Sequence, residues 1–264
     1  MDLQLNGKLA LVSGSTAGIG FAIAQALANE GAHVIVNGRT AARVEAAVAK
    51  LKASGPVGQV EGFAADLGTS DGVSRISAKF PDVEILVNNL GIFEPKPFEQ
   101  IPDVDWLRFF EVNVLSGVRL SRYYLPRMQE RGWGRIVFIS SESALQIPKE
   151  MIHYGMTKTA QLAISRGLAE TTAGTNVTVN TVLPGPTESE GVSLFVQQMA
   201  DAQKVSPADV EREFFRSVRP SSLLKRFARV EEVAALVAFV CSPLSSATNG
   251  AALRVDGGVV RAIV

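Results

Sequence analysis

The chain has 264 residues, 47% of them hydrophobic and 20% charged, with 26 basic side chains against 26 acidic ones. This is the composition of a globular domain large enough to bury a core without disulfides or structural metals. Zero formal net charge argues against a nucleic-acid footprint, and one Cys with two His argues against a zinc site, so no metal is expected.

The N-terminal run from Met1 to Lys8 carries no basic-then-apolar leader, and no apolar run approaches the ~20 residues of a bilayer span. A cytoplasmic protein without a membrane partner is the default expectation. Lys8 to Ser13 reads as a buried strand. Gly18 to Asn29 reads as a helix, with Ile19, Ile23, Ala26 and Leu27 at helical spacing. The apolar, β-branched run His33 to Asn37 is a second strand, and Thr40 caps a helix to about Ala53. Gln59 to Ala64, Glu84 to Asn88, Arg135 to Ser140, Asn176 to Leu183 and Ala251 to Val255 supply five more strands. Helices fill the gaps, among them a long one around Thr157 to Ala173. Strands alternating with helices define an α/β fold: a doubly wound, parallel sheet of seven strands with helices on both faces. The pattern contains no linker, so residues 1–264 read as one domain. Residues 188–225 differ: they are charged, helical around Val192–Met199 and Val210–Phe215, and interrupted by Pro207 and Pro220. They are expected to form an insertion over the carboxyl edge of the sheet. Cys241 lies in an apolar run and reads as a small buried hydrophobe.

The first strand ends in Ser13-Gly14-Ser15-Thr16-Ala17-Gly18-Ile19-Gly20, and a helix follows at once. Glycines here let the backbone turn tightly and approach a pyrophosphate, while the helix N-terminus offers unpaired N–H groups and a positive dipole end. The spacing is G-x-x-x-G-x-G, and a glycine turn that merely packs helix on strand is the alternative. Tyr154 and Lys158 are four residues apart, so on a helix they share a face. A phenol ordinarily titrates near ~10; an adjacent ammonium favours the phenolate and makes the pair a proton-transfer device. An ordinary surface pair is the alternative.

Taken together these motifs resemble the short-chain dehydrogenases/reductases. The resemblance rests on Ser13-Gly14-x-x-x-Gly18-Ile19-Gly20, Asn88-Asn89-Leu90-Gly91, Asn113, Ser141, Tyr154-x-x-x-Lys158, Pro184-Gly185 and Asp256-Gly257-Gly258, in that order. It implies a Rossmann-type sheet, a homotetramer or homodimer, and hydride transfer between a nicotinamide dinucleotide and a carbonyl or alcohol carbon. It implies further that Ser141 bonds the substrate oxygen, with Ser140 the neighbouring alternative. Tyr154 would then be the general acid or base. Lys158 would hold the nicotinamide ribose, and Asn113 would place a water that links the lysine to solvent. Gly14, Ser15, Thr16, Gly18, Ile19 and Gly20 would receive the phosphates. Asp66 and Leu67 would meet the adenine. Asn89, Gly91, Pro184 and Gly185 would border the cofactor, with Thr187 and Ser189 on the carboxamide. Leu90 departs from the family's usual Ala, and Ser13 replaces its usual Thr. NAD-binding members carry Asp where this chain has Gly38; Arg39 follows, which favours NADP, with NAD the alternative.

His153 adjoins Tyr154 but points away from it on a helix, so it is expected to line the pocket or the surface. Leu194, Phe195, Met199, Phe214 and Phe215 would line the insertion's side of a substrate pocket or form the insertion's own core; Gln146, Ile147 and Met151 would form the opposite wall. The expected reaction is ketone/secondary alcohol redox chemistry on a 3-oxoacyl, sugar-acid or other ketone. A non-catalytic dinucleotide sensor and a nucleotide-dependent transferase are the rival classes.

Overall fold

The computed structural model describes residues 1–263, with the backbone alone described at Phe195. Seven strands form one sheet: β1 (Leu9–Val12), β2 (His33–Gly38), β3 (Val60–Ala64), β4 (Ile85–Asn88), β5 (Gly134–Ile139), β6 (Val177–Pro184) and a last strand, Ala252–Val255. The spatial order is β3-β2-β1-β4-β5-β6 and then the last strand, and every neighbouring pair is parallel. The order reverses between β1 and β4, where Val12 lies opposite Val87. Ligands of open α/β sheets bind at the carboxyl ends of strands beside such a reversal.

Strand residues alternate between two apolar layers, because successive side chains leave opposite faces of a strand. Ala10, Val12, Val34, Val36, Ile85, Val87, Val137 and Ile139 pack against helices α1 (Gly18–Asn29), α2 (Ala41–Ala53) and, further along the chain, Val230–Cys241. Leu11, Ile35, Leu86, Ile136 and Phe138 face the other way, towards α3 (Ser70–Lys79), α5 (Ser116–Glu130) and α6 (Ile152–Glu170). Both faces are therefore covered, and each buried aliphatic side chain contributes roughly 1.5–3 kcal/mol by leaving water. Cys241 is fully buried in the first layer, and burial pushes its thiol up to about 12.

Three features refine or add to the sequence-based expectation. Helix α6 begins at Ile152, so it includes Tyr154 in its first turn. Between α4 (Asp103–Phe110) and α5 the helix widens into a π-helical turn over Glu111–Leu115, which carries Asn113. A two-stranded parallel pair, β7 (Thr187–Glu188) with β8 (Ala228–Arg229), closes the base of the segment after β6. Between them run α7 (Glu190–Gln203), α8 (Pro207–Glu213) and a second π-helical turn, Phe214–Val218. Following β8, the helix Val230–Cys241 is α9 and the strand Ala252–Val255 is β9.

Candidate active site

The turn after β1 is pinned from the neighbouring strands. The Ser15 N–H donates to the Asn37 carbonyl at 2.8 Å, the Ser15 hydroxyl donates to the Val12 carbonyl at 2.7 Å, and the Asn37 N–H donates to Ser15 Oγ at 2.9 Å. Ser15 thus ties the turn after β1 to the ends of β1 and β2. Asn89 likewise donates its side-chain amide to the carbonyls of Ser13 (2.9 Å) and Gly14 (3.1 Å), and Ser13 Oγ accepts the N–H groups of Asn89 and Leu90 at 2.9 and 3.0 Å. A Cβ at Gly20 would stand 2.4 Å from Asn89 Nδ2 and 2.6 Å from the Gly14 carbonyl, so only glycine lets α1 approach this closely. Gly14 has φ +63°, the left-handed region that glycine enters without strain.

Helix α1 starts behind Ala17, which offers no side-chain cap, and its first turn has no acidic residue. Its leading N–H groups and dipole end therefore remain suited to an anion. Leu90 Cδ1 lies 3.4 Å from where a Gly14 Cβ would be, and Ser189 Cβ lies 3.3 Å from where a Gly18 Cβ would be. Ser189 thus sits directly against the glycine turn after β1. Ser189 caps α7 by accepting the Val192 N–H at 3.4 Å, and Thr187 donates its hydroxyl to the Gly185 carbonyl at 2.9 Å. Gly185 follows Pro184 at the end of β6 and packs against Asp256. At the end of β2, Gly38 is buried and Arg39 exposed; after β3, Asp66 is exposed while Leu67 is buried in the core.

Asn113, Ser141, Tyr154 and Lys158 converge at the carboxyl ends of β4 and β5. The Lys158 ammonium is buried, 4% exposed, and lies 5.6 Å from the Tyr154 ring centre. It donates to the Ile139 carbonyl at 2.9 Å and to Gln161 Oε1 at 3.3 Å. A Cβ at Gly91 would be 3.4 Å from Lys158 Nζ, so the bare glycine opens the approach to the ammonium. Ser140 donates its hydroxyl to the Lys158 carbonyl at 2.9 Å, which fixes it as a link between β5 and α6. Ser141 is the serine close enough to interact with the Tyr154 phenol.

The Asn113 side chain accepts the Ile92 N–H at 2.7 Å and donates to the Ile92 carbonyl and Thr157 Oγ1, both at 3.0 Å. The π-helical turn leaves its main-chain carbonyl to accept from Gln161 Nε2 at 2.7 Å. Gln161 therefore bridges Asn113 and Lys158 directly. In sequence terms it was findable: it is three residues from Lys158 on the same helix.

Two pKa shifts mark the cluster. Burial lowers Lys158 from 10.5 to about 8. Burial raises the Tyr154 phenol above its ordinary 10, opposed by Ser141; Glu142 raises it further and Arg219 lowers it. The sequence reading expected the lysine to pull the phenol down; here the ammonium is aimed at Ile139 and Gln161 instead, and burial dominates. Glu142 and Arg219 also escaped the sequence reading. They are 4% and 8% exposed and joined by a 3.0 Å bond from Arg219 Nε to Glu142 Oε1.

His153 is neither pocket-lining nor on the surface. It is 1% exposed, with its ring 4.0 Å from that of Phe109 and 5.9 Å from that of Trp106. Desolvation lowers its pKa below 6.5. Phe93, 60% exposed, meets Tyr154 edge-on at 6.4 Å, and Ile147 is exposed beside Gly155. Gln146 is exposed and Met151 half-buried. Phe214 and Phe215 stack with Phe227 at 5.2 and 5.1 Å as the insertion's own core, Met199 is half-buried and Leu194 is exposed. The Phe195 side chain lies outside the described residues. A hollow of about 560 Å³ lined by Ser222, Leu223, Arg254, Asp256 and Val260 contains none of the expected catalytic residues.

Comparison with known proteins gives the family of the chain. The family described as enoyl-(acyl carrier protein) reductase matches residues 14–260. The chain is 51% identical over 263 residues to the "Uncharacterized oxidoreductase YvaG" of Bacillus subtilis (strain 168), covering 100% of both. It is 33% identical to a D-beta-hydroxybutyrate dehydrogenase of Cupriavidus necator, covering 97% of this chain and 99% of that one. Among solved structures, L-sorbose reductase from Gluconobacter frateurii, complexed with NADPH and L-sorbose, superposes with a TM-score of 0.93 at 30% identity over 100% of both chains. The chain belongs to the short-chain dehydrogenase/reductase family and is an NAD(P)-dependent dehydrogenase/reductase. Among the described residues no helix is long and apolar enough to cross a membrane.

Proposed function

We propose that the protein interconverts a ketone and a secondary alcohol with NADP(H), using Tyr154 as the proton donor and acceptor. The observation that carries this reading is the convergence of Tyr154, Ser141 and the buried Lys158 at the strand ends beside an uncapped helix N-terminus. The cofactor, when bound, supplies the hydride chemistry. Thr16, Gly18, Ile19 and Gly20 would hold its phosphates, Gly91, Pro184, Thr187 and Ser189 would border its nicotinamide half, and Lys158 would bond its ribose. Asp66 and Leu67 would lie at its adenine. In reduction, Tyr154 gives its proton to the substrate oxygen; in oxidation it takes that proton back.

Gly38 puts no carboxylate at the end of β2, and the exposed Arg39 beside it offers a cation to a ribose 2′-phosphate. This supports NADP over NAD, as does the NADPH bound by the similar sorbose reductase. Residues 188–225 act as a lid on a single catalytic domain, because their entry at Ser189 packs on the phosphate turn. Phe93 against Tyr154 and Ile147 beside Gly155 put exposed apolar side chains next to the phenol's helix turn, which suits a ketone with an apolar portion. The cytoplasm is the default location for the protein, and a homotetramer or homodimer is the assembly that the family resemblance implies.

The test is a spectrophotometric screen with NADPH and NADH against L-sorbose, acetoacetate, a 3-oxoacyl thioester and a panel of ketones. Ketone-dependent NADPH oxidation supports the reading. Tight NADPH binding with no turnover across the panel favours a dinucleotide sensor instead.

A further inference from the structure

Ser141 is tied to a second polar group that the expected reaction does not use. Its hydroxyl donates to Glu142 Oε2, which also accepts the Ser143 N–H at 2.8 Å and the Ser143 hydroxyl at 3.1 Å. The other oxygen, Oε1, accepts from Arg219 Nε at 3.0 Å. Arg219 follows the π-helical turn of the lid, and its Nη1 also lies 3.5 Å from Glu150 Oε1. Both members of the pair are nearly inaccessible to water.

We propose that Glu142 and Arg219 are a positioning pair for the acid/base centre, through which the lid sets the direction of the Ser141 hydroxyl and the charge seen by Tyr154. This rests on the reading of Tyr154 as the proton-transfer group. A carboxylate paired with an arginine accepts hydrogen bonds, so the Ser141 proton is committed to Glu142; Ser141 Oγ accepts the Ser143 N–H at 3.1 Å and has its second lone pair left for the Tyr154 phenol. When Tyr154 gives its proton to a substrate oxygen, a phenolate remains beside Ser141. The serine hydroxyl then turns its proton from Glu142 to the phenolate. Glu142 keeps the two Ser143 donors and Arg219, so no buried charge is left unpartnered. No covalent bond changes in that rotation.

Arg219 is what keeps this exchange balanced. Glu142 alone disfavours the phenolate by like charge, and Arg219 opposes it. The charged groups facing Tyr154 are Lys158 from its own helix, Glu142 from the loop after β5 and Arg219 from the lid, with Glu150 behind Arg219. A purely structural ion pair would hold the loop in place without setting where Tyr154 titrates.

Phenolate absorbance tests this without needing turnover. The chain has three tyrosines, and subtracting the alkaline titration of a Tyr154→Phe background from that of each variant isolates Tyr154. Glu142→Gln is expected to move the Tyr154 titration to lower pH by about one unit. Arg219→Met is expected to move it up by a similar amount, and the Glu142→Gln/Arg219→Met pair, which loses both opposing charges, to return it close to the parent position. A lone buried carboxylate can prevent folding. If Arg219→Met does not fold, Glu142→Gln and the paired variant, which leave no bare charge, carry the same comparison. Titrations of folded Glu142→Gln and parent that coincide would overturn the proposal. Because the readout is ionisation, it separates this failure from the absence of ketone reduction.

Discussion

Gln161 takes the Lys158 ammonium on its amide oxygen and gives its amide N–H to the Asn113 carbonyl, at 3.3 and 2.7 Å. One buried side chain thus joins the lysine to the π-helical turn, whereas the family resemblance implies a water held by Asn113 as the lysine's link to solvent. An amide bridge is a fixed link, and it helps hold a charged group in a place where burial disfavours charge. Gln161→Leu removes an acceptor from the ammonium and is expected to lower the Lys158 pKa below about 8. NADPH affinity measured against pH checks this. The weakening that accompanies lysine deprotonation should begin at lower pH than in the parent; superimposable curves would contradict the role given to Gln161.

Lys158 itself should cost stability. Its pKa falls from 10.5 to about 8 on folding. Below about 8 the amine is charged in both states and the folded state carries the desolvation cost, about 3 kcal/mol at 1.36 kcal/mol per pKa unit. Between about 8 and 10.5 the unfolded chain binds more protons, so stability rises with pH; above 10.5 the difference is constant. Denaturant unfolding of the parent and of Lys158→Met over this range should show the parent gaining stability relative to the variant. A difference that does not change with pH would contradict the buried, charged lysine.

His153 gives the opposite test on the acid side. Its folded pKa lies below 6.5, so above that value it is neutral in both states and contributes no pH dependence. As pH falls through 6.5 the unfolded chain takes up the proton first, and stability is lost. Nδ1 has no hydrogen-bond partner within the described residues. His153→Phe is therefore expected to fold, to retain activity, and to lose stability less steeply than the parent as pH falls below 6.5. Parallel stability–pH curves would contradict this.

Cofactor preference has a steric side. A Cβ at Gly38 would meet Thr16 Cγ2 at 2.5 Å, so Gly38→Asp alone must displace the threonine beside the phosphate turn. Gly38→Asp with Thr16→Ser should move the NADPH/NADH ratio of kcat/KM towards NADH by about tenfold or more, and further than Gly38→Asp alone. An unchanged ratio in the double variant would count against Gly38 and Arg39 as the 2′-phosphate site.

The sheet was legible because each strand is a short apolar run and each gap is long enough for a helix, so period and length agreed. Leu11 between Ala10 and Val12 shows the two-layer burial that a doubly wound sheet requires. Ser141 follows a strand end and Tyr154 and Lys158 share one helix turn, while Asn113 reaches Lys158 from the π-helical turn through Gln161. What escaped reading was tertiary. Glu142 and Arg219 lie 77 residues apart in the chain, and no local pattern joins them. His153 owes its burial to Trp106 and Phe109 on another helix. The widened turn at Asn113 adds a residue to one helical turn and leaves no periodicity signal. The β7–β8 pair is two residues per strand, too short to register as alternation.

Ketone-dependent NADPH oxidation by the parent and by Tyr154→Phe, with NADPH binding followed by fluorescence in the same samples, is the most direct measurement. Loss of the phenol should slow turnover by roughly 10²–10⁴-fold, the usual contribution of a general acid, while NADPH binding stays within about twofold. Turnover in Tyr154→Phe near the parent's rate would contradict Tyr154 as the group that moves the proton.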